Sequence, residues 1–335
     1  MIDLRCRYLG LDLRSPLVAS ASPLAQTVEG VRRLAEGGVA AVVLPSLFEE
    51  QLQREAARFH ELAEAGSESF AESLSYLPPS PVDQDAPHRY LSLVERAAAA
   101  VDVPIIGSLN GVTPGGWVRY ARSIQDAGAR AIELNVYHAP GPPSTSGRDV
   151  EDRTIEVVAQ VKAAVSVPVA VKLGPFWSSV GEFALRLDDA GADALVLFNR
   201  FLQPEIDPET LTTRPSIDLS SPVDARLAAT WVSLLHGRVR AQLAASSGVE
   251  GAADVARYLL AGADVVMTTS ALMRHGPEHA GALLQGLSEW MAGKGYTSLA
   301  DVRGVMRVPA AADASAYERA GYVSMVRPEA ERPPA

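Results

Sequence analysis

Apolar, β-branched runs of five to eight residues recur along the chain, each followed by a longer stretch whose apolar residues return with helical spacing. The runs are PLVAS from Pro16, VAAVVLP from Val39, VPIIGSL from Val103, RAIELNVY from Arg130, VPVAVKL from Val167, DALVLFN from Asp193, VRAQLAAS from Val239 and DVVMTTS from Asp264. Three are introduced by one device, in DAGARA, DAGADA and LAGADV, where Gly128, Gly191 and Gly262 stop a helix by taking the left-handed C-cap conformation. Pro104 and Pro168 stand at the first residue of a strand, where no ladder donor is needed. Strands this continuously apolar are buried on both faces, so the pattern predicts eight βα units closed into a parallel TIM (β/α)8 barrel over 1–326, in one domain. An open doubly wound sheet is the alternative.

Two connections exceed an ordinary βα loop. Ser46 to Arg89 follows the second strand, with an acidic helical piece and the turn region LPPSPVDQDAP; Arg200 to Arg226 follows the sixth and is rich in Pro, Asp and Thr. Long loops on this face of a barrel act as lids or substrate walls. The tail from Arg327, RPEAERPPA, at 327–335, reads as disordered.

The 47% of hydrophobic residues suffices for a large core, and no run approaches the roughly 18 residues that span a bilayer. The N-terminal MIDLRCRYLGLDLRSP lacks the apolar stretch of a secretory signal, and Cys6 is the single cysteine, so the expected setting is cytoplasmic and away from membranes. A net charge of -10 argues against a nucleic-acid partner. No CxxC, CxxxxC or HExxH pattern occurs, so no metal or iron–sulfur site is expected.

Candidate chemistry lies where strands end. Lys172 closes VPVAVKL, and a charged residue after so apolar a run needs a polar pocket, where it can neutralise developing negative charge. Asn135 and Asn199 end ELN and LFN; an amide offers donor and acceptor to the edge of a flat substrate, or caps a loop. Glu133 shares a side of its strand with Asn135, and Lys172 on the next strand is its natural partner. The last two strands open onto ASSGVEG and MTTSALM, which suits a phosphate held by Gly248, Thr269 and Ser270, although such residues also serve as helix caps.

Taken together, PLVASAS, SLNG at Ser108, AGARAIELN, VPVAVKL, DALVLFN and the paired C-terminal strands resemble the dihydroorotate dehydrogenase family of FMN-dependent barrels, in particular its divergent bacterial branch. The resemblance spans Pro16 to Gly304. It implies FMN, with the phosphate near Gly248, Thr269 and Ser270 and the isoalloxazine near Ala19, Ser20, Asn135 and Lys172. Lys172 would then face the N1/C2=O edge and stabilise the reduced flavin.

Departures from the family pattern bear on the substrate. The proton-abstracting Cys or Ser position falls on His138, beside Tyr137, a substrate-clamping asparagine falls on Pro140, and Glu72 to Pro78 replaces an asparagine-rich loop. A second lysine of the pattern is Pro45. Each lost hydrogen bond to a buried partner costs about 1–3 kcal/mol, so the expected substrate is a small planar or carboxylated compound other than dihydroorotate, oxidised or reduced at a C–C/C=C bond with His138 or Tyr137 moving the proton. Two other readings stand beside this one. One is a barrel that binds FMN or a phosphate ligand without redox turnover, as a sensor or pseudoenzyme. The other is a flavin-free lyase or isomerase forming a Schiff base on Lys172. The resemblance also implies an electron donor or acceptor, as a small molecule or partner subunit, and a homodimer.

Overall fold

Eight parallel strands close in chain order, each hydrogen-bonded to the next and the last to the first. They are β3 (Leu17–Ala19), β4 (Ala41–Phe48), β5 (Ile105–Asn110), β6 (Ala131–Asn135), β7 (Val169–Leu173), β8 (Ala194–Leu197), β11 (Gln242–Ser246) and β12 (Val265–Thr268). Two antiparallel hairpins lie outside the barrel: β1 (Cys6–Tyr8) with β2 (Leu11–Leu13), and β9 (Glu205–Asp207) with β10 (Thr212–Arg214). This computed structural model describes residues 2–48, 86–110, 114–136, 144–200, 204–214, 218–309, 311–313, 319 and 323.

All eight expected strands form, and the closed barrel replaces the open-sheet alternative. Gly128, Gly191 and Gly262 end their helices at φ of 98°, 94° and 120°, values that side chains with a Cβ rarely adopt. Asp193 and Asp264, which introduce the sixth and eighth barrel strands, pin their neighbours: Asp193 Oδ2 accepts from Val169 N at 2.7 Å and Asp264 Oδ2 from Leu243 N at 2.8 Å.

Three local features differ from expectation. The second barrel strand runs on to Phe48, because Ser46, Leu47 and Phe48 pair with Ser108, Leu109 and Asn110 after a register shift between Val43 and Ser46. Pro45 falls inside that shift, where a residue without an N–H is tolerated. The connection after β8 carries the β9–β10 hairpin and a 3-10 turn at Pro222–Asp224, and the next helix begins at Ala225. Within the connection after β4, a helix begins at Ala86; residues 49–85, with the expected acidic helical piece and Glu72 to Pro78, lie outside the described residues, as does the tail from Arg327.

The third difference is the β1–β2 hairpin, which closes the N-terminal end of the barrel. Tyr8, Leu9 and Leu13 are buried in one cluster with the axis-facing residues Val18, Ala41, Val43, Ile106, Ala131, Ala170, Ala194, Val196, Ala244, Val265 and Met267. Five of these are alanines, small enough to admit a Tyr and a Leu from below. Gln242, at the start of β11, fastens the hairpin: its Oε1 accepts from Leu9 N at 2.6 Å and its Nε2 donates to Arg7 O at 2.7 Å. The alternate residues, among them Leu17, Val42, Ile132, Val171 and Leu195, join the larger outer cluster.

Replacing Gln242 by alanine leaves the Leu9 N–H and the Arg7 carbonyl without this partner. The expected loss is about 1–3 kcal/mol in urea unfolding, as a lower midpoint with unchanged slope.

Candidate active site

Read from bottom to top, the axis-facing residues turn polar: Ile106, Ser108, Asn110 on β5; Ala131, Glu133, Asn135 on β6; Ala170, Lys172 on β7; Ala244, Ser246 on β11. Above this change, at the C-terminal end of the strands, a cavity of about 560 Å³ is lined by Ser20, Phe48, Asn110, Asn135, Lys172, Phe198, Asn199, Arg200, Ser220, Ser246, Ser247, Thr268, Thr269 and Ser270, among others.

Lys172 reaches this cavity from a nearly buried position. Its Nζ donates to Ser20 Oγ at 3.0 Å and lies 3.5 Å from Glu133 Oε1. Asn199 Nδ2 donates to Asn135 Oδ1 at 2.9 Å, Asn135 Nδ2 donates to Ser46 Oγ at 3.3 Å, and Ser46 Oγ is 2.7 Å from Ser108 Oγ. The Arg200 amide completes this polar chain, donating to Asn199 Oδ1 at 2.9 Å. Each asparagine thereby keeps one amide hydrogen for a ligand. From the helix Ala86–Ala100 outside the barrel, the Tyr90 hydroxyl bridges the carbonyl and amide of Ser108, and burial pushes the phenol well above its ordinary range.

The opposite wall is tied together by Ser220. Its amide and hydroxyl both donate to Ser270 Oγ, at 2.9 and 3.0 Å, which leaves the Ser270 proton for another acceptor. Ser220 Oγ accepts from Gly248 N at 3.0 Å, and its carbonyl accepts from Arg274 at 2.9 Å. Arg274 in turn pairs with Glu250 at 2.5 Å, and His275 reaches the same carboxylate at 2.6 Å. The His275 hydrogen bond, helped by the Arg274 charge, holds Glu250 below the usual carboxylate range.

Of the residues expected to act, Ser20, Asn135, Lys172, Asn199, Thr269 and Ser270 meet around this one cavity. Ala19 is buried next to it. Gly248 lies behind the wall: its N–H is engaged by Ser220, and its backbone sits at φ +69° where a Cβ would come 2.4 Å from Ala225 N. Tyr137, His138 and Pro140 lie outside the described residues. Pro45 lines a separate cavity between the barrel and the helix Ala86–Ala100. Asn110, Ser46, Arg200 and Ser220 were not singled out from sequence, although SLN ends its strand on an amide just as ELN and LFN do.

Residues 81–291, well over half of the chain, match the family described as dihydroorotate dehydrogenase. The chain belongs to this family. Among its relatives is a protein of Methanothermobacter thermautotrophicus named dihydroorotate dehydrogenase B (NAD(+)), catalytic subunit, 29% identical over 88% of this chain and 95% of the relative. Proteins of the same name from Methanocella arvoryzae and Thermoplasma acidophilum are 28% and 26% identical, over 81% and 91% of this chain and 87% and 99% of their own lengths. Identities of this order mark a divergent member. It is a dihydroorotate dehydrogenase-like, FMN-dependent oxidoreductase acting on a CH–CH bond of a small molecule. No helix among the described residues is long and apolar enough to cross a membrane.

The site's own chemistry fits FMN. The cavity is lined both by Lys172 and the asparagines and by the hydroxyls of Ser220, Thr269 and Ser270, and the buried Thr268 hydroxyl, which lines it, has no hydrogen-bond partner. A phosphate and a flat heterocycle call for these two kinds of wall.

Gly248→Ala should displace the Ser221–Ala225 turn, costing at least about 1 kcal/mol in denaturant unfolding and weakening FMN retention after gel filtration. Glu250 contributes stability above the ordinary glutamate range, and this is lost as pH falls through its lowered value. The gap in melting temperature between the protein and Glu250→Gln should therefore be widest near neutral pH and close on acidification.

Proposed function

We propose that this oxidoreductase acts on a small, planar or carboxylated substrate other than dihydroorotate. The observation that carries the reading is the pairing of Asn135 with Asn199 beside Lys172 on the cavity floor. It leaves amide and ammonium hydrogens free to donate, while each amide oxygen already accepts one hydrogen bond and keeps a single lone pair. Such a floor offers more donors than open acceptor positions, which suits carbonyl or carboxylate groups better than ring N–H groups. The replacement of a clamping asparagine by Pro140 supports the same reading. The names of the relatives support dihydroorotate itself, which makes it the first compound to test against the rest.

Bound FMN supplies the hydride acceptor for such a reaction. Lys172, fixed by Ser20, would offer its positive charge to the flavin and stabilise the negative charge of the reduced form. Ser20, Asn135 and the neighbouring Ala19 would hold the ring, and Thr269 and Ser270 the phosphate, with Ser220 orienting Ser270. Asn135 and Asn199 orient the substrate, and His138 or Tyr137 takes its proton. The whole of 1–326 acts as one barrel domain in the cytoplasm, as a homodimer, and passes electrons to or from a small molecule or a partner subunit.

The visible spectrum of the purified protein, before and after FMN is added and the excess removed, tests the cofactor. Anaerobic bleaching by dihydroorotate and by a panel of saturated mono- and dicarboxylates, followed by reoxidation, tests the substrate. Bleaching by a carboxylate and not by dihydroorotate is the expected result; rapid bleaching by dihydroorotate overturns the substrate proposal. With the substrate so found, Lys172→Met should lower turnover by about 10²–10³-fold, the usual cost of removing one group aimed at developing charge.

A further inference from the structure

Beneath the cavity floor lies a carboxylate that the reaction as described does not use. Glu133 points at the barrel axis from β6, 1% exposed, one level below Asn135. Lys172 Nζ is 3.5 Å from its Oε1, yet neither carboxylate oxygen makes a hydrogen bond: the two groups attract as charges without the alignment a hydrogen bond requires. Lys172 spends a hydrogen bond on Ser20 instead. From the opposite end of the axis comes Tyr8, on the N-terminal hairpin; its hydroxyl is also buried without a partner, and its ionisation is opposed first by burial and then by the Glu133 charge.

A charge pair in this position is a poor means of stabilising a barrel. Buried ion pairs gain little over apolar residues of similar size, and the same axis is filled on other strands by Val196 and Met267. What the carboxylate does provide is a fixed negative charge directly behind the ammonium that faces the cavity. In a site of low dielectric such a charge acts over several ångströms with little screening.

We infer that Glu133 is a positioning residue that balances the charge of Lys172 and fixes its direction, and thereby sets the reduction potential of the flavin bound above it. The inference rests on the FMN reading of the cavity and adds to it a residue that touches neither cofactor nor substrate. Without the carboxylate, the Lys172 charge stands unbalanced against the flavin edge that becomes negative on reduction. The reduced cofactor is then favoured, and the potential rises.

The test is the midpoint potential of FMN bound to the full chain, measured by spectroelectrochemistry at neutral pH, for the protein and for Glu133→Gln. The expected change is about tenfold in preference for reduced over oxidised flavin, equivalent to about 30 mV upward for a two-electron couple. Glu133→Asp withdraws the same charge by one methylene and should shift the potential the same way by less; it also serves if Glu133→Gln does not fold. A folded variant, by circular dichroism, that retains FMN at the wild-type potential overturns the assignment of Glu133 and leaves the cofactor reading intact. A wild-type chain that cannot be loaded with FMN removes both.

Discussion

Closing eight parallel strands turns every second side chain toward one narrow axis, and that space cannot take a large residue from every strand at every level. The rest of this molecule follows from how the axis is shared. Ala41, Ala131, Ala170, Ala194 and Ala244 leave room low in the barrel, and the β1–β2 hairpin takes it with Tyr8 and Leu9. Higher up, several strands change to polar residues, Ser108 and Glu133 first and then Asn110, Asn135, Lys172 and Ser246, and the axis stops being core and becomes the floor of a binding cavity. One geometric rule thus produces both the apolar seal and the polar site, separated by a step of two residues along β5, β6, β7 and β11.

The two sides of that cavity are built by different means. On one side, strand ends do the positioning, so Asn135, Lys172 and Asn199 inherit the rigidity of the barrel ladder, in which Asn135 and Lys172 are direct neighbours. On the other, the groups sit on loops, and their order comes from Ser220, which ties the loop after β8 to the loops after β11 and β12. The Tyr258 hydroxyl adds support, its one proton shared between the carbonyls of Ser246 and Ser247 at 3.1 and 2.7 Å. Ser247 itself holds a φ of +78°, an uncommon conformation for a residue with a side chain, and these bonds keep it there.

The barrel was legible because its signals are local and repeated: continuous apolar runs, glycines at helix ends and prolines at strand entries. Lys172 and the two asparagines were legible for a related reason, since each is a polar residue closing an apolar run. Asn110 carried the same signal in SLN and could have been found by applying the rule evenly. The N-terminal hairpin could not, because its strands are three residues long and Arg7 and Asp12 interrupt their apolar pattern. Nor could the Ser220 tie, whose partners lie 28 and 50 residues away along the chain and meet it only once the barrel has closed. The extension of β4 to Phe48 was hidden by Pro45, which reads as a strand end unless a register shift is known to absorb it.

The hairpin at the bottom of the barrel has one more consequence. Because Tyr8, Leu9 and Leu13 stopper the axis, its N-terminal end is closed among the described residues, and the cavity opens at the strand C-termini. A reductant and an oxidant that both had to meet the same cofactor face would therefore queue at a single doorway. Turnover of that kind alternates between two half-reactions, each first reactant leaving as product before the second is admitted, and each reactant in excess obstructs the other.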